Sequence, residues 1–170
     1  MGAFLDRPRT EKSNDEGEAN GLRYAVASMQ GWRVDMEDAH VIACPMAQEA
    51  PFNKWSFFAV FDGHAGSRAA ERSAENLLSC ILETAELNEI KNGWNEPSRP
   101  LDVDALRLLE EGIKAGFLLL DARLHDNSDG EEKERSGTTV ISAIITPSHV
   151  VLANLGVFHI SSFHTLAVTT

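Results

Sequence analysis

The strongest constraint on this chain lies between Trp55 and Leu87, where the spacing of apolar residues changes period. Trp55 to Phe61 reads Trp-Ser-Phe-Phe-Ala-Val-Phe, a short apolar run with the length and composition of a buried strand. It ends on Asp62-Gly63-His64-Ala65-Gly66. From Gly66 to Leu87, residues Ala70, Ala74, Leu77, Leu78, Ile81, Leu82 and Ala85 recur every three or four positions. That spacing predicts one amphipathic helix over 66–87, with Arg68, Glu71, Arg72, Glu75 and Glu83 left for solvent. A strand that ends on an acid holds a carboxylate on a rigid element at the rim of a core, which suits a metal ligand. The plainer reading of Asp62 is a helix N-cap.

The remaining elements follow from the same rules. Leu22 to Met29 and His40 to Cys44 are two further candidate strands. Asn92 to Pro100 is rich in turn formers, and Leu106, Leu109, Ile113, Phe117, Leu120 and Leu124 then mark a second helix, with Asp102 as its N-cap. His125 to Arg135 reads as a charged loop. Gly137 to Thr146 and His149 to Gly156 read as a strand pair turning at Pro147, although Thr139 to Val157 is also long enough for a spanning helix. Strands, two helices and strands again predict an α+β fold.

Composition narrows the function. Fifteen Lys and Arg against 26 Asp and Glu leave a net charge of −11, which disfavours nucleic acid and anionic membranes as partners. All of these charged residues lie at or before Arg135. Cys44 and Cys80 are the only cysteines and form no metal-binding or disulfide pattern, so they read as reduced cytoplasmic or nuclear thiols. Residues 1–20 lack the apolar stretch of a secretory signal and read as a mobile polar arm. Membrane contact is expected only if Gly2 is acylated, and Asp6 occupies the position where that pattern calls for Ser or Thr.

A second acidic cluster, Gly31-Trp32-Arg33-Val34-Asp35-Met36-Glu37-Asp38, gathers three carboxylates and one arginine without matching lysines. If the segment is extended, Asp35 and Glu37 share one face and Asp38 takes the other, so Glu37 would enter a site while Asp38 holds a water. Carboxylate and carbonyl oxygens without soft donors select Mg²⁺ or Mn²⁺. Arg33 offers a planar fork that fits phosphate; its alternative is an ion pair with Asp35 or Glu37. His64, two residues after Asp62, is a general-acid candidate because its ordinary pKa lies near 6.5.

Gly31 to His40, Phe57 to Gly66 and Ser136-Gly137-Thr138-Thr139 together resemble the type 2C protein phosphatases, the metal-dependent PPM family. The start Met-Gly-Ala-Phe-Leu-Asp and the stretch Asn20 to Tyr24 resemble its alpha and beta branches. The resemblance implies a four-layer α-β-β-α sandwich of two antiparallel sheets flanked by helices. It also implies hydrolysis of phosphoserine and phosphothreonine in proteins by metal-activated water, with two Mg²⁺ or Mn²⁺ ions. By position, Asp62 resembles the acid that bridges the two metals and Gly63 the carbonyl ligand. Glu37 and Asp38 resemble the acids serving the second metal, His64 the general acid and Arg33 the phosphate clamp.

After Gly156 the resemblance stops: Val157-Phe158-His159 stands where the family continues with Asp-Ser-Arg and, later, with two more metal-binding aspartates. The expected organisation is therefore a polar arm at 1–20, an incomplete phosphatase domain at 21–156 and a divergent tail at 157–170, as in a truncated or alternatively ended isoform. It is expected to be a monomer with weak or absent activity. The alternative is a non-catalytic isoform that binds the partners of the full-length phosphatase.

Overall fold

A computed structural model describes residues 4–93, 100–126 and 135–156. Its centre is a four-stranded antiparallel sheet, ordered β3-β4-β5-β6, formed by β3 (Ala39–Ala43), β4 (Ser56–His64), β5 (Gly137–Ile145) and β6 (Val150–Leu155). Strand β4 alternates strictly from Ala59 onward, with Ala59, Phe61 and Gly63 buried and Val60, Asp62 and His64 exposed. This period of two is the pleat expressed as burial, and it sends Asp62 and His64 to one face together. On the other face, Phe57 and Phe61 are fully buried beside Val140 and Ile144 of β5. Burying each phenylalanine contributes roughly 2–3 kcal/mol.

One helix covers that apolar face, and two more pack on it in turn. Helix α1 (Arg68–Leu82) packs on β3, β4 and β5, and its Ala70, Leu77 and Ile81 are buried. Helix α3 (Val103–Asp126) lies against α1 and α2 (Ala85–Gly93). The Asp102 carboxylate accepts a hydrogen bond from the Ala105 N–H at 2.9 Å, so Asp102 caps α3 as the sequence predicts. The single helix expected over 66–87 is instead α1 and α2. Thr84 separates them: its hydroxyl donates to the Ile81 carbonyl at 2.8 Å and accepts from the Leu87 N–H at 3.3 Å, ending one helix and capping the next.

A second, two-stranded antiparallel sheet precedes the first. It pairs β1 (Phe4–Ala19) with β2 (Leu22–Arg33) around a turn at Asn20-Gly21. The mobile arm expected at 1–20 is thus corrected over 4–19, which is held by backbone pairing although its side chains are mostly exposed. Asn20 and Gly21 take φ of 53° and 73°, the left-handed conformation that tight hairpin turns require. The turn is anchored to the larger sheet by Asn20, whose Nδ2 donates to the Trp55 carbonyl at 3.0 Å and to Ser56 Oγ at 3.3 Å. Tyr24 of β2 meets Phe58 of β4 with ring centroids 5.7 Å apart.

The architecture is α+β, with two antiparallel sheets and three helices among the described residues. Residues 137–155 form the expected strand pair, joined through Pro147. No described helix is long and apolar enough to cross a membrane. The sheet face opposite the helices is open around Val60, which is 43% exposed, and at Val150 and Leu152. The charged loop expected at 125–135 lies for the most part outside the described residues, as do Gly2 and the tail at 157–170.

Candidate metal centre

The end of β4 and the link between β2 and β3 converge at one rim of the sheet. Strand β2 ends at Arg33 and β3 begins at Ala39, so residues 34–38 are not a strand and the facing pattern expected for Asp35, Glu37 and Asp38 does not apply. Ala39 pairs with Phe61, and one step further along this antiparallel register brings Asp38 opposite Asp62. Their carboxyl groups lie within hydrogen-bonding reach. Partial burial first, and then the negative charge of Asp62, push the Asp38 carboxyl above the ordinary aspartate range, while Arg33 acts in the opposite direction.

Glu37 does something different. Its Oε1 accepts a hydrogen bond from the Gly66 N–H at 2.7 Å, and its Oε2 accepts from Arg33 Nη2 at 2.9 Å. The ion pair weighed as an alternative for Arg33 is therefore present, and the Glu37 side chain is only 15% exposed. Its backbone carbonyl oxygen also presses on Gly63, where any Cβ would overlap it. Gly63 is thus required by the close approach of residue 37.

His64 closes the strand on the Asp62 face. It pairs with Gly137 of β5, and a Cβ at Gly137 would stand 2.5 Å from His64 Nε2, so the imidazole rests over a bare α-carbon. Beyond it, Ala65 and Gly66 have φ of 58° and 126°, a sharp reversal that leads directly into α1. The floor of the site is Ser136 to Thr139, to which the sequence alone assigns no roles. Thr138 Oγ1 donates to the Asp62 carbonyl at 3.1 Å, and Ser136 Oγ accepts from the Ala69 N–H at 3.0 Å. Thr139 pairs with Asp62, and its buried hydroxyl has no hydrogen-bond partner among the described residues. The sequence marks this stretch only as part of a family resemblance; its place across the sheet from Asp62 shows what each residue touches.

Asp38 and Asp62 fit a hard divalent cation in chemistry. They are two oxygen donors whose mutual repulsion a cation would relieve, and the exposed rim leaves space for water. Among the described residues, no group of three or more His, Cys, Asp or Glu is arranged to hold a metal ion. The pair would leave most of an octahedral shell to water or substrate oxygens.

An α+β domain with an acid pair at the rim of an antiparallel sheet defines a broad class, and comparison with known proteins narrows it. Residues 22–157 match the family model of protein phosphatase 2C, and the chain belongs to that family. It is 46% identical over 156 residues to "Protein phosphatase ppm-1.A" of Caenorhabditis elegans, covering 92% of this chain and 33% of that protein. It is 43% identical over 159 residues to "Protein phosphatase 1A" of Homo sapiens, covering 92% of this chain and 38% of that one. The chain thus spans between a third and two fifths of these relatives. The crystal structure of serine-threonine phosphatase 2C from Toxoplasma gondii shares the fold with a TM-score of 0.57 at 16% identity, over 92% of this chain and 54% of that one. The fold is consistent with an incomplete domain of this family.

Proposed function

We propose that this chain carries the first part of a metal-dependent phosphoserine/phosphothreonine phosphatase centre. Asp38 and Asp62, with the Gly63 carbonyl, would hold Mg²⁺ or Mn²⁺. The observation that carries this reading is the facing of Asp38 and Asp62, two like charges that no described lysine or arginine separates by a hydrogen bond or ion pair. When bound, the ion supplies a Lewis acid that draws charge from phosphoryl oxygens and lowers the pKa of water.

The chain's own residues supply the rest. Arg33 is 57% exposed and keeps N–H donors beyond the one given to Glu37, which it can offer to two phosphate oxygens. His64, on the same strand face as Asp62, would give its proton to the serine or threonine oxygen as the phosphorus–oxygen bond breaks. The rigid end of β4 fixes the separation of these two groups.

Two carboxylates offset half of the four positive charges that a pair of divalent ions would bring, so one ion and low turnover are expected. The family membership and the 46% identity to a named phosphatase support the reaction class. The test is calorimetric titration of the 170-residue chain with Mn²⁺, beside hydrolysis of a phosphothreonine peptide. Wild-type chain should bind about one ion and Asp62→Asn none; equal heats from both would end this reading. Mn²⁺ binding without peptide hydrolysis would favour the second reading, a non-catalytic protein that binds the partners of a longer phosphatase, which the 33% coverage of that relative motivates.

A further inference from the structure

Glu37 and Asp38 are adjacent acids whose side chains have separated in purpose. Asp38 turns to Asp62, whereas both carboxylate oxygens of Glu37 are engaged with protein donors, Gly66 N–H at 2.7 Å and Arg33 Nη2 at 2.9 Å. These two donors sit on different elements. Arg33 is the last residue of β2, and Gly66 belongs to the reversal that follows Asp62, Gly63 and His64. The same residue grips that reversal again through its backbone carbonyl, packed on Gly63 where no side chain fits. A carboxylate whose two oxygens each accept a short hydrogen bond from a charged or backbone donor is already solvated and held in orientation by the protein, and only its remaining lone pairs are left for an ion.

We infer that Glu37 is a positioning residue: it brackets Arg33 against the Asp62–Gly66 turn and sets where the guanidinium meets phosphate, and it is not a direct ligand of the ion. This rests on the reading of Arg33 as the phosphate-binding group. One N–H of Nη2 is given to Glu37, so the remaining N–H donors are presented to the ligand in a fixed plane. An exposed arginine without such a bracket would sample many rotamers and lose that orientation.

The test uses the full 170-residue chain and three readouts: exchange of the Gly66 amide hydrogen, affinity for inorganic phosphate and affinity for Mn²⁺. Glu37→Ala should accelerate Gly66 exchange and weaken phosphate binding, each by about tenfold, while Mn²⁺ affinity stays within about threefold. Glu37→Gln retains one acceptor oxygen and should fall between. Asp62→Asn should show the opposite split, losing Mn²⁺ and keeping the slow Gly66 amide. The bracket is overturned if Glu37→Ala lowers Mn²⁺ affinity as far as Asp62→Asn does, or leaves Gly66 exchange unchanged. Should the alanine variant fail to fold, Glu37→Gln decides by affinity: weaker phosphate binding with Mn²⁺ affinity kept upholds the bracket, and loss of Mn²⁺ as in Asp62→Asn, or unchanged phosphate binding, overturns it. If wild-type chain binds neither probe, the functional reading falls, and the Gly66 amide alone upholds or overturns the bracket.

Discussion

Asp38 and Asp62 meet where β3 begins beside the end of β4, and there burial first and then the charge of Asp62 raise the affinity of the Asp38 carboxyl for its proton. Without a cation this contact costs stability. Asp38→Asn should therefore raise the melting temperature of the divalent-free chain by a few degrees, corresponding to less than about 1 kcal/mol because both groups are solvent-screened. The folded-state pKa of Asp38 is raised, so the folded chain binds this proton more tightly than the unfolded one. The penalty is fully present above the raised pKa and is relieved as pH falls through it. Melting curves of both chains should thus converge as the pH is lowered, and added Mn²⁺ should stabilise only the wild type. A variant that melts lower at neutral pH in chelator would contradict this account.

Gly63→Ala places a methyl group on the Glu37 backbone carbonyl oxygen. Backbone on both sides leaves little room to relax, so a loss of about 2–3 kcal/mol is expected. Urea titration should show a lower midpoint with an unchanged slope. A midpoint equal to that of wild type would mean that residue 37 moves aside freely.

Gly116→Ala sets two effects against each other. Alanine in a helix interior is favoured over glycine by about 1 kcal/mol. Here, however, the new Cβ would stand 2.6 Å from Ile81 Cγ1 and 2.7 Å from Ile81 Cα, where α3 crosses α1. Overpacking of this kind costs typically 1–3 kcal/mol, so the substitution should be net destabilising. Thermal unfolding monitored by helical circular dichroism checks the sign, and a rise in melting temperature would refute the close crossing.

Asn20→Gly keeps the left-handed turn and removes only the side-chain bonds to Trp55 and Ser56. Amide exchange should accelerate along β1 and β2 and remain slow in β4 and β5. Uniform acceleration through both sheets would show that the hairpin and the larger sheet open as one unit.

The parts of the fold visible in advance were those in which side chains report their own burial. Strand β4, the stripe of α1, the Asp102 cap and the turn at Pro147 all follow from periodicity or local chemistry. Strand β1 was opaque because its side chains face water and only its backbone is paired, which polar residue types do not disclose. The division between α1 and α2 was hidden because the apolar spacing runs unbroken through Thr84; a threonine followed two residues later by Glu86 was the available cue. The placement of Asp62, Gly63 and His64 at the exposed rim was legible from the strand that ends on them. The contacts of Glu37 and Asp38 were not, because they depend on Gly66 and Asp62, groups more than twenty positions away whose approach is made by the tertiary fold.

The β1–β2 ribbon is fastened at both of its ends. Its closed tip is tied to the start of β4 through Asn20, and its open end is tied through Arg33 and Glu37 to the loop after the same strand. A beam pinned at both supports bends far less than one clamped at a single end. The reach of the guanidinium is therefore governed partly by a fastening at the opposite end of β4, roughly 30 Å away by the rise of nine extended residues.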